Sequence, residues 1–302
     1  AAIINRRYNE KVGEKLGRFS RLESIDDAEV IAALLRTAED WLREKGMTKV
    51  HGPLGFTNLD LQGLLIEGFD HLPSIASVYH HPYYQAHIEK CGYEKENDLL
   101  EFRLKLENQI PEKATRMVDL IKTRFKLRVV SFKSKKEMLP YAHKLFTLLN
   151  SAFEELPYVS AFDEPTKEFY IKKYFSFLNP EFVKVVLDEH NELRAFIVGL
   201  PSLSRAMQKC NGKLFPFRFR HILHALKHPT EMDLLLTGVD PVLQSQGVAA
   251  VLIFELQQVL LKYKVPYVET TGIFESNNKA ITTWKNYEHI QHKRRRCFVK
   301  SL

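Results

Sequence analysis

The chain has 302 residues, of which 45% are hydrophobic and 27% charged, with a formal net charge of +7. At roughly 100–200 residues per domain this length suits two domains, and the composition excludes a disordered or fibrous chain. Three cysteines (Cys91, Cys210 and Cys297), with no C-x-x-C pair, argue against a disulfide framework or a structural zinc and for a reducing, cytoplasmic setting.

No apolar run reaches the roughly 18–20 residues that span a bilayer. The opening Ala1–Arg7 lacks the long apolar stretch of a signal peptide and reads as a strand entered midway. Strand-like residues occupy Arg18–Glu23. Ser24-Ile25-Asp26-Asp27 offers a cap, and apolar residues at Val30, Ile31, Leu34, Leu35, Ala38, Trp41 and Leu42 predict a helix over Ala28–Lys45. Gly46 stops it, because glycine tolerates the left-handed turn at a helix end. A short strand follows at Lys49–His51. Phe56–Pro82, rich in Gly, Pro, Asp and His, reads as a long ordered loop. A helix opening at Pro82 ends at Cys91-Gly92, Tyr93 begins a strand, and Leu99–Leu106 alternates.

Residues 107–127 read as a connecting helix, and the pattern then restarts. Strands are expected at Arg128–Phe132, Phe182–Leu187, Ala195–Leu200, Met232–Val239, Tyr267–Gly272 and Ile290–Val299. Helices are expected at Glu137–Phe153, Pro165–Phe177, Gly247–Tyr263 and Asn277–Tyr287. Leu203–His228 is a basic, Phe-rich insertion. Both halves end strand, helix, strand, helix, strand, which indicates a divergent tandem of two α/β (α+β) domains. The boundaries fall at 1–107 and 128–302, with 108–127 as connecting helix. The first domain is expected to be incomplete at its N-terminus.

The most informative junction lies between Met232–Val239 and the apolar helix. Asp240-Pro241 ends the strand, since proline cannot continue a ladder. Gly247 then opens the helix. Such a strand–loop–helix junction aims free backbone N–H groups at one spot, and the helix dipole adds roughly half a positive charge there. A pyrophosphate fits without any Lys or Arg, and the small Gly247 and Ala249 let the backbone approach it.

Val239, Pro241, Gln244, Gly247 and Ala249 resemble the acyl-CoA signature V-x-P-x-x-[RQ]-x-x-G-x-[GA] of the GNAT superfamily of N-acyltransferases. Asn277, Ala280 and Trp284 are similar to that superfamily's N-x-x-A-x-x-L-Y helix, and His87–Tyr93 to its E-K-x-G-F segment. The resemblance covers about 128–302, with a fainter match in the first half, whose CoA loop is absent. It implies two GNAT-like domains, each a mixed central sheet flanked by helices, as in bacterial tandem proteins of unassigned function. Acetyl-CoA or another acyl-CoA is the implied co-substrate, held by Val239, Gln244, Gln246, Gly247, Val248, Ala249 and Asn277.

Trp284 stands where the superfamily places a tyrosine that protonates the departing thiolate. An indole N–H is a poor acid, and Tyr287, about one helical turn on, is the substitute. The following Gly-Phe is replaced by Glu288-His289. The base that takes the amine proton is sought among carboxylates beside the CoA strand: Glu231, Asp233 and Glu269, with Glu269 first because apolar surroundings raise a carboxyl pKa.

Other patterns carry less. His80-His81 with His71 and His87 lacks zinc-site spacing, and no metal is expected. The insertion alternates Phe215, Phe217 and Phe219 with cations, a pattern that contacts RNA or an anionic membrane. The simpler reading puts Phe inward and Arg outward. Lys293–Arg296 reads as a solvated edge strand or an anion contact. The expected activity is direct acyl transfer to a small-molecule or peptide amine, with nucleic acid not the expected partner. The alternatives are a non-catalytic module that binds acyl-CoA or a protein, or an aminoacyl-tRNA-dependent transferase.

Overall fold

The computed structural model describes residues 1–284 and 287–302. Twelve strands form one mixed sheet: β1 Ala2–Ile3, β2 Leu16–Phe19, β3 Lys49–Gly52, β4 Leu64–Glu67, β5 Glu94–Lys105, β6 Arg128–Ser131, β7 Val183–Leu187, β8 Leu193–Pro201, β9 Glu231–Val239, β10 Tyr267–Thr270, β11 Ile273–Phe274 and β12 His289–Ser301. Their order is β1-β2-β3-β12-β5-β10-β9-β8-β7-β6, with β4 also on β12 and β11 also on β5.

Two parallel pairs anchor this order. β2 lies parallel to β3 across the helix Ala28–Glu44, and β9 lies parallel to β10 across the helix Val248–Lys262. Each is a strand–helix–strand crossover, which a parallel pair requires. The first helix begins where Asp27 accepts from the Glu29 and Val30 amides, and buries Ile31, Leu35 and Leu42. The second is apolar almost all round, with eight buried residues, so both of its faces are covered.

The last strand of each half pairs with the other half. β5 lies against β10, while β12 lies against β3, both antiparallel, and β5 and β12 pair along the centre. The two halves therefore share one sheet by reciprocal exchange.

Several expected elements need correction. Phe56–Pro82 is not wholly loop: the apolar Leu64-Leu65-Ile66 forms β4 on β12. A helix at Arg6–Val12 follows β1, capped by Asn5. The predicted helix Asn277–Tyr287 is helical over Asn278–Thr283, and Lys285 and Asn286 lie outside the described residues. Lys293–Arg296 is no edge strand. β12 is central, and Arg294 and Arg296 both reach Asp98, at 3.0 and 2.8 Å, while Arg295 reaches Glu101 at 2.7 Å. Buried charges must be paired, and β5 supplies the partners.

The insertion also differs from its simpler reading. It forms the helices Ser204–Cys210 and Phe219–Lys227 around a loop in which Phe215 and Phe217 are 78% and 69% exposed.

Candidate functional site

β9 and β10 run side by side only as far as Leu234 and Thr270. Beyond that point β10 gives way to β11, which stays on β5 without pairing β9, while β9 continues to Val239 against β8. The strands thus split like a V. On β9 the split coincides with a register shift: Val198 pairs Leu236 but Gly199 pairs Leu234, leaving Leu235 as an extra residue. Bulges of this kind bend a strand and leave one residue outside the ladder.

The loop closing the open end of the V is built from the residues singled out in the sequence. Asp240 accepts from the Val242 amide and pairs with Arg194 at 2.8 Å. The Gln244 side-chain Nε2 donates to the Val239 carbonyl at 3.3 Å, and Lys279 Nζ donates to the Gln244 side-chain Oε1 at 3.3 Å. Gly247 has φ +83°, in the left-handed region, so a side chain there is strained. It precedes a 15-residue helix with no side-chain cap, whose first amides have no intrahelical acceptor. Gln246 is exposed, Val248 is buried and Ala249 is intermediate. Asn277 caps the helix Asn278–Thr283 by accepting from the Ala280 amide. Lys279 of that helix ties it to Gln244, so the predicted cofactor residues share one end of the V.

At the closed end, Glu269 and Asp233 are register partners on β10 and β9. Alternation along a strand puts them on one face, while Val268 and Leu234 face the helix Val248–Lys262. Asp233 is fully buried. Ser74 donates to its Oδ2 at 2.9 Å, and Oδ1 has no hydrogen-bond partner among the described residues. Burial pushes its carboxyl up to about 7, with Ser74 opposing and the Glu269 charge adding to the rise. Glu269 is also raised, first by burial, against the pull of Lys293 and Arg103. Arg103 lies 3.7 Å from it.

Glu269 opens into a cleft of about 490 Å³, with Arg103, Ser202, Arg205 and Glu231 among its lining residues. Its roof is Phe69–Pro73 from the first half. Arg103 and Arg205 both pair with Glu231. Beneath the cleft, buried Lys293 donates to the Leu72 carbonyl at 2.9 Å and stands 3.9 Å from Glu101. Burial lowers the Lys293 pKa, and Glu269, Glu101 and Asp233 counter that fall. Sequence reading missed Ser74, Glu101 and Arg103, and took Lys293 for part of a solvated edge strand or an anion contact. A glutamate and an arginine two apart within the apolar run Leu99–Leu106 were the available signal of a polar sheet face.

Tyr287 stands apart from the carboxylates, on the helix side of the sheet. It shares an apolar cavity with Trp284, Leu234 and Val268, and its hydroxyl lies 3.4 Å from Gln257. Burial raises its pKa, so the phenol stays protonated. Trp284 is buried, and its Nε1 has no partner among the described residues. Of the histidines singled out earlier, His71 lines the cleft roof, His80 accepts from the Leu65 amide, and His87 pairs with Asp26 at 2.7 Å.

No protein-family model matches the chain. It is 29% identical to Protein YghO of Escherichia coli (strain K12) over 309 residues, covering 100% of this chain and 78% of that protein. It is 30% identical over 224 residues to the bacterial ceramide synthase of Caulobacter vibrioides, covering 70% of this chain; the match spans 54%, about half, of that protein's length. A tandem GNAT protein from the clavulanic acid biosynthesis pathway superposes with a TM-score of 0.51 at 13% identity, covering 96% of this chain and 76% of its own. A GCN5-related N-acetyltransferase from Sphaerobacter thermophilus does so at 0.52 and 11%, covering 100% and 76%. The chain therefore has the fold of the GCN5-related N-acetyltransferases, the GNAT superfamily, in tandem form.

Proposed function

We propose that the chain transfers an acyl group from acyl-CoA directly to an amine. The observation that carries this reading is the placement of the Asp233–Glu269 pair at the point where β9 and β10 part, with the Gly247 loop at the far end of β9. Six residues of strand separate Asp233 from Val239, roughly 20 Å. That is on the order of the reach of an extended pantetheine arm.

The residues present fit the co-substrate. The left-handed Gly247 and the small Ala249 leave backbone amides open to a pyrophosphate, and Gln246 is accessible beside them. Val239, Gln244, Val248 and Asn277 hold the loop and its neighbouring helix in place. Acyl-CoA supplies the thioester, whose carbonyl carbon gains a C–N bond as its C–S bond breaks. The Leu235 N–H at the bulge is the proposed donor to that carbonyl oxygen. Glu269 takes the proton released by the attacking amine, directly or through one water. The Glu269 charge in turn helps to hold the proton on Asp233 beside it. Tyr287, on the helix side of the sheet, is the proposed proton donor to the departing sulfur.

The acceptor class follows from a relative. A ceramide is the N-acyl amide of a long-chain amino alcohol, so the similarity to a ceramide synthase favours an amine acceptor over an alcohol. We place the division at 1–107 and 128–302, joined by 108–127, with the final strand of each unit given to the other. Incubating the purified chain with acyl-CoAs of increasing length and a panel of amines, and following free thiol, tests the proposal. Failure of every acyl-CoA to bind by calorimetry would overturn it.

A further inference from the structure

The insertion 203–228 carries Arg205, Lys209, Lys213, Arg218, Arg220 and Lys227 and no carboxylate, so it holds six positive charges against a net +7 for the whole chain. Lys209, Lys213, Arg220 and Lys227 form no ion pair among the described residues. The same segment exposes its largest apolar groups. Phe215 and Phe217 project at the loop tip, and Met207, Leu214 and Leu223 are exposed around them. The tip is ordered rather than loose: Arg218 Nη1 donates to the Cys210 carbonyl at 2.9 Å, and the Phe219 amide donates to the Leu214 carbonyl at 2.9 Å. On the helix Phe219–Lys227, Ile222, Ala225 and Leu226 turn inward, while Arg220, Leu223 and Lys227 form an outward stripe at helical spacing.

Exposed aromatic and aliphatic groups ringed by unpaired cations fit one environment well. The apolar tip enters the headgroup–acyl boundary while the cations meet anionic headgroups. RNA would use the phenylalanines for stacking but gives no role to Met207, Leu214 and Leu223. We propose that the insertion 203–228 docks the protein on an anionic membrane surface. Its first helix also supplies Ser204, Arg205 and Gln208 to the cleft, so docking holds the cleft mouth at the bilayer. The proposal concerns binding and stands whether or not acyl transfer occurs.

Co-sedimentation of the purified chain with vesicles tests it, using phosphatidylcholine alone and phosphatidylcholine mixed with phosphatidylglycerol. Binding is expected only to the mixed vesicles, weakening as salt is added. The double variant F215S/F217S should bind at least about tenfold more weakly. K213E/R220E should lose roughly fivefold or more for each charge. All four positions are exposed, so both variants should keep the parent's urea midpoint. If one does not, the other still decides. Absence of binding to the mixed vesicles overturns the proposal. So does unchanged binding by F215S/F217S, which reduces the contact to charge adsorption. Tight binding of a single-stranded RNA with none to vesicles assigns the surface to nucleic acid and also overturns it.

Discussion

Asp233 offers a sharp test of the site's electrostatics. Its carboxyl titrates near 7 in the folded protein against 3.8 in a model peptide. The folded state therefore keeps a proton through an interval in which the unfolded chain has lost it. Stability from this group is fully present below the unfolded pKa and is lost as pH rises toward the folded one. The gap corresponds to about 4 kcal/mol at 1.36 kcal/mol per pKa unit. Asp233→Asn keeps the shape and an acceptor for Ser74 but cannot ionise. The variant should therefore gain on the parent as pH rises, by about 2–4 kcal/mol between near pH 4 and near pH 8. Urea unfolding of both proteins at several pH values measures this, and the difference cancels groups common to both. A difference that stays constant with pH would refute the reasoning, because it would mean that Asp233 is ionised in the fold or that its charge is compensated.

Glu269→Gln should lower kcat by about 10²–10⁴-fold with a small change in KM, read by thiol release, if Glu269 is the base. Tyr287→Phe should reduce kcat and leave acyl-CoA affinity intact; unchanged turnover would hand thiolate protonation to solvent. Gly247→Val forces a branched residue into φ +83° and should weaken acyl-CoA binding at least about tenfold by calorimetry while costing roughly 1–3 kcal/mol of stability. Glu101→Gln leaves Arg295 and Lys293 buried without their carboxylate and should destabilise the fold by about 3–5 kcal/mol in denaturant. A loss below about 1 kcal/mol would show that those cations find other partners.

The second half was legible because its periodicities are strong. The run Leu234-Leu235-Leu236, Pro241 and Gly247 mark strand end and helix start by stereochemistry alone. The carboxylates Asp233 and Glu269 were legible as residues but not as neighbours, since parallel register between positions 36 residues apart leaves no local trace. The reading of Lys293–Arg296 failed for the same reason. Four cations in a row look solvated until Asp98 and Glu101 are known to lie on the adjacent strand. Phe215, Phe217 and Phe219 looked like a buried face because alternation is a packing signal. Here Phe215 and Phe217 stand exposed on a loop, and Phe219 begins the helix that follows it.

The exchange of final strands also bears on synthesis. Until β12 emerges, β3 presents an unpaired edge and Asp98 and Glu101 lack the arginines of β12, so the middle of the sheet waits for that strand. Contacts between such distant segments are slow to close, and open edges invite pairing with other molecules. The two halves, however well formed locally, therefore cannot be completed one at a time. Maturation of the cleft and completion of the sheet become a single late event.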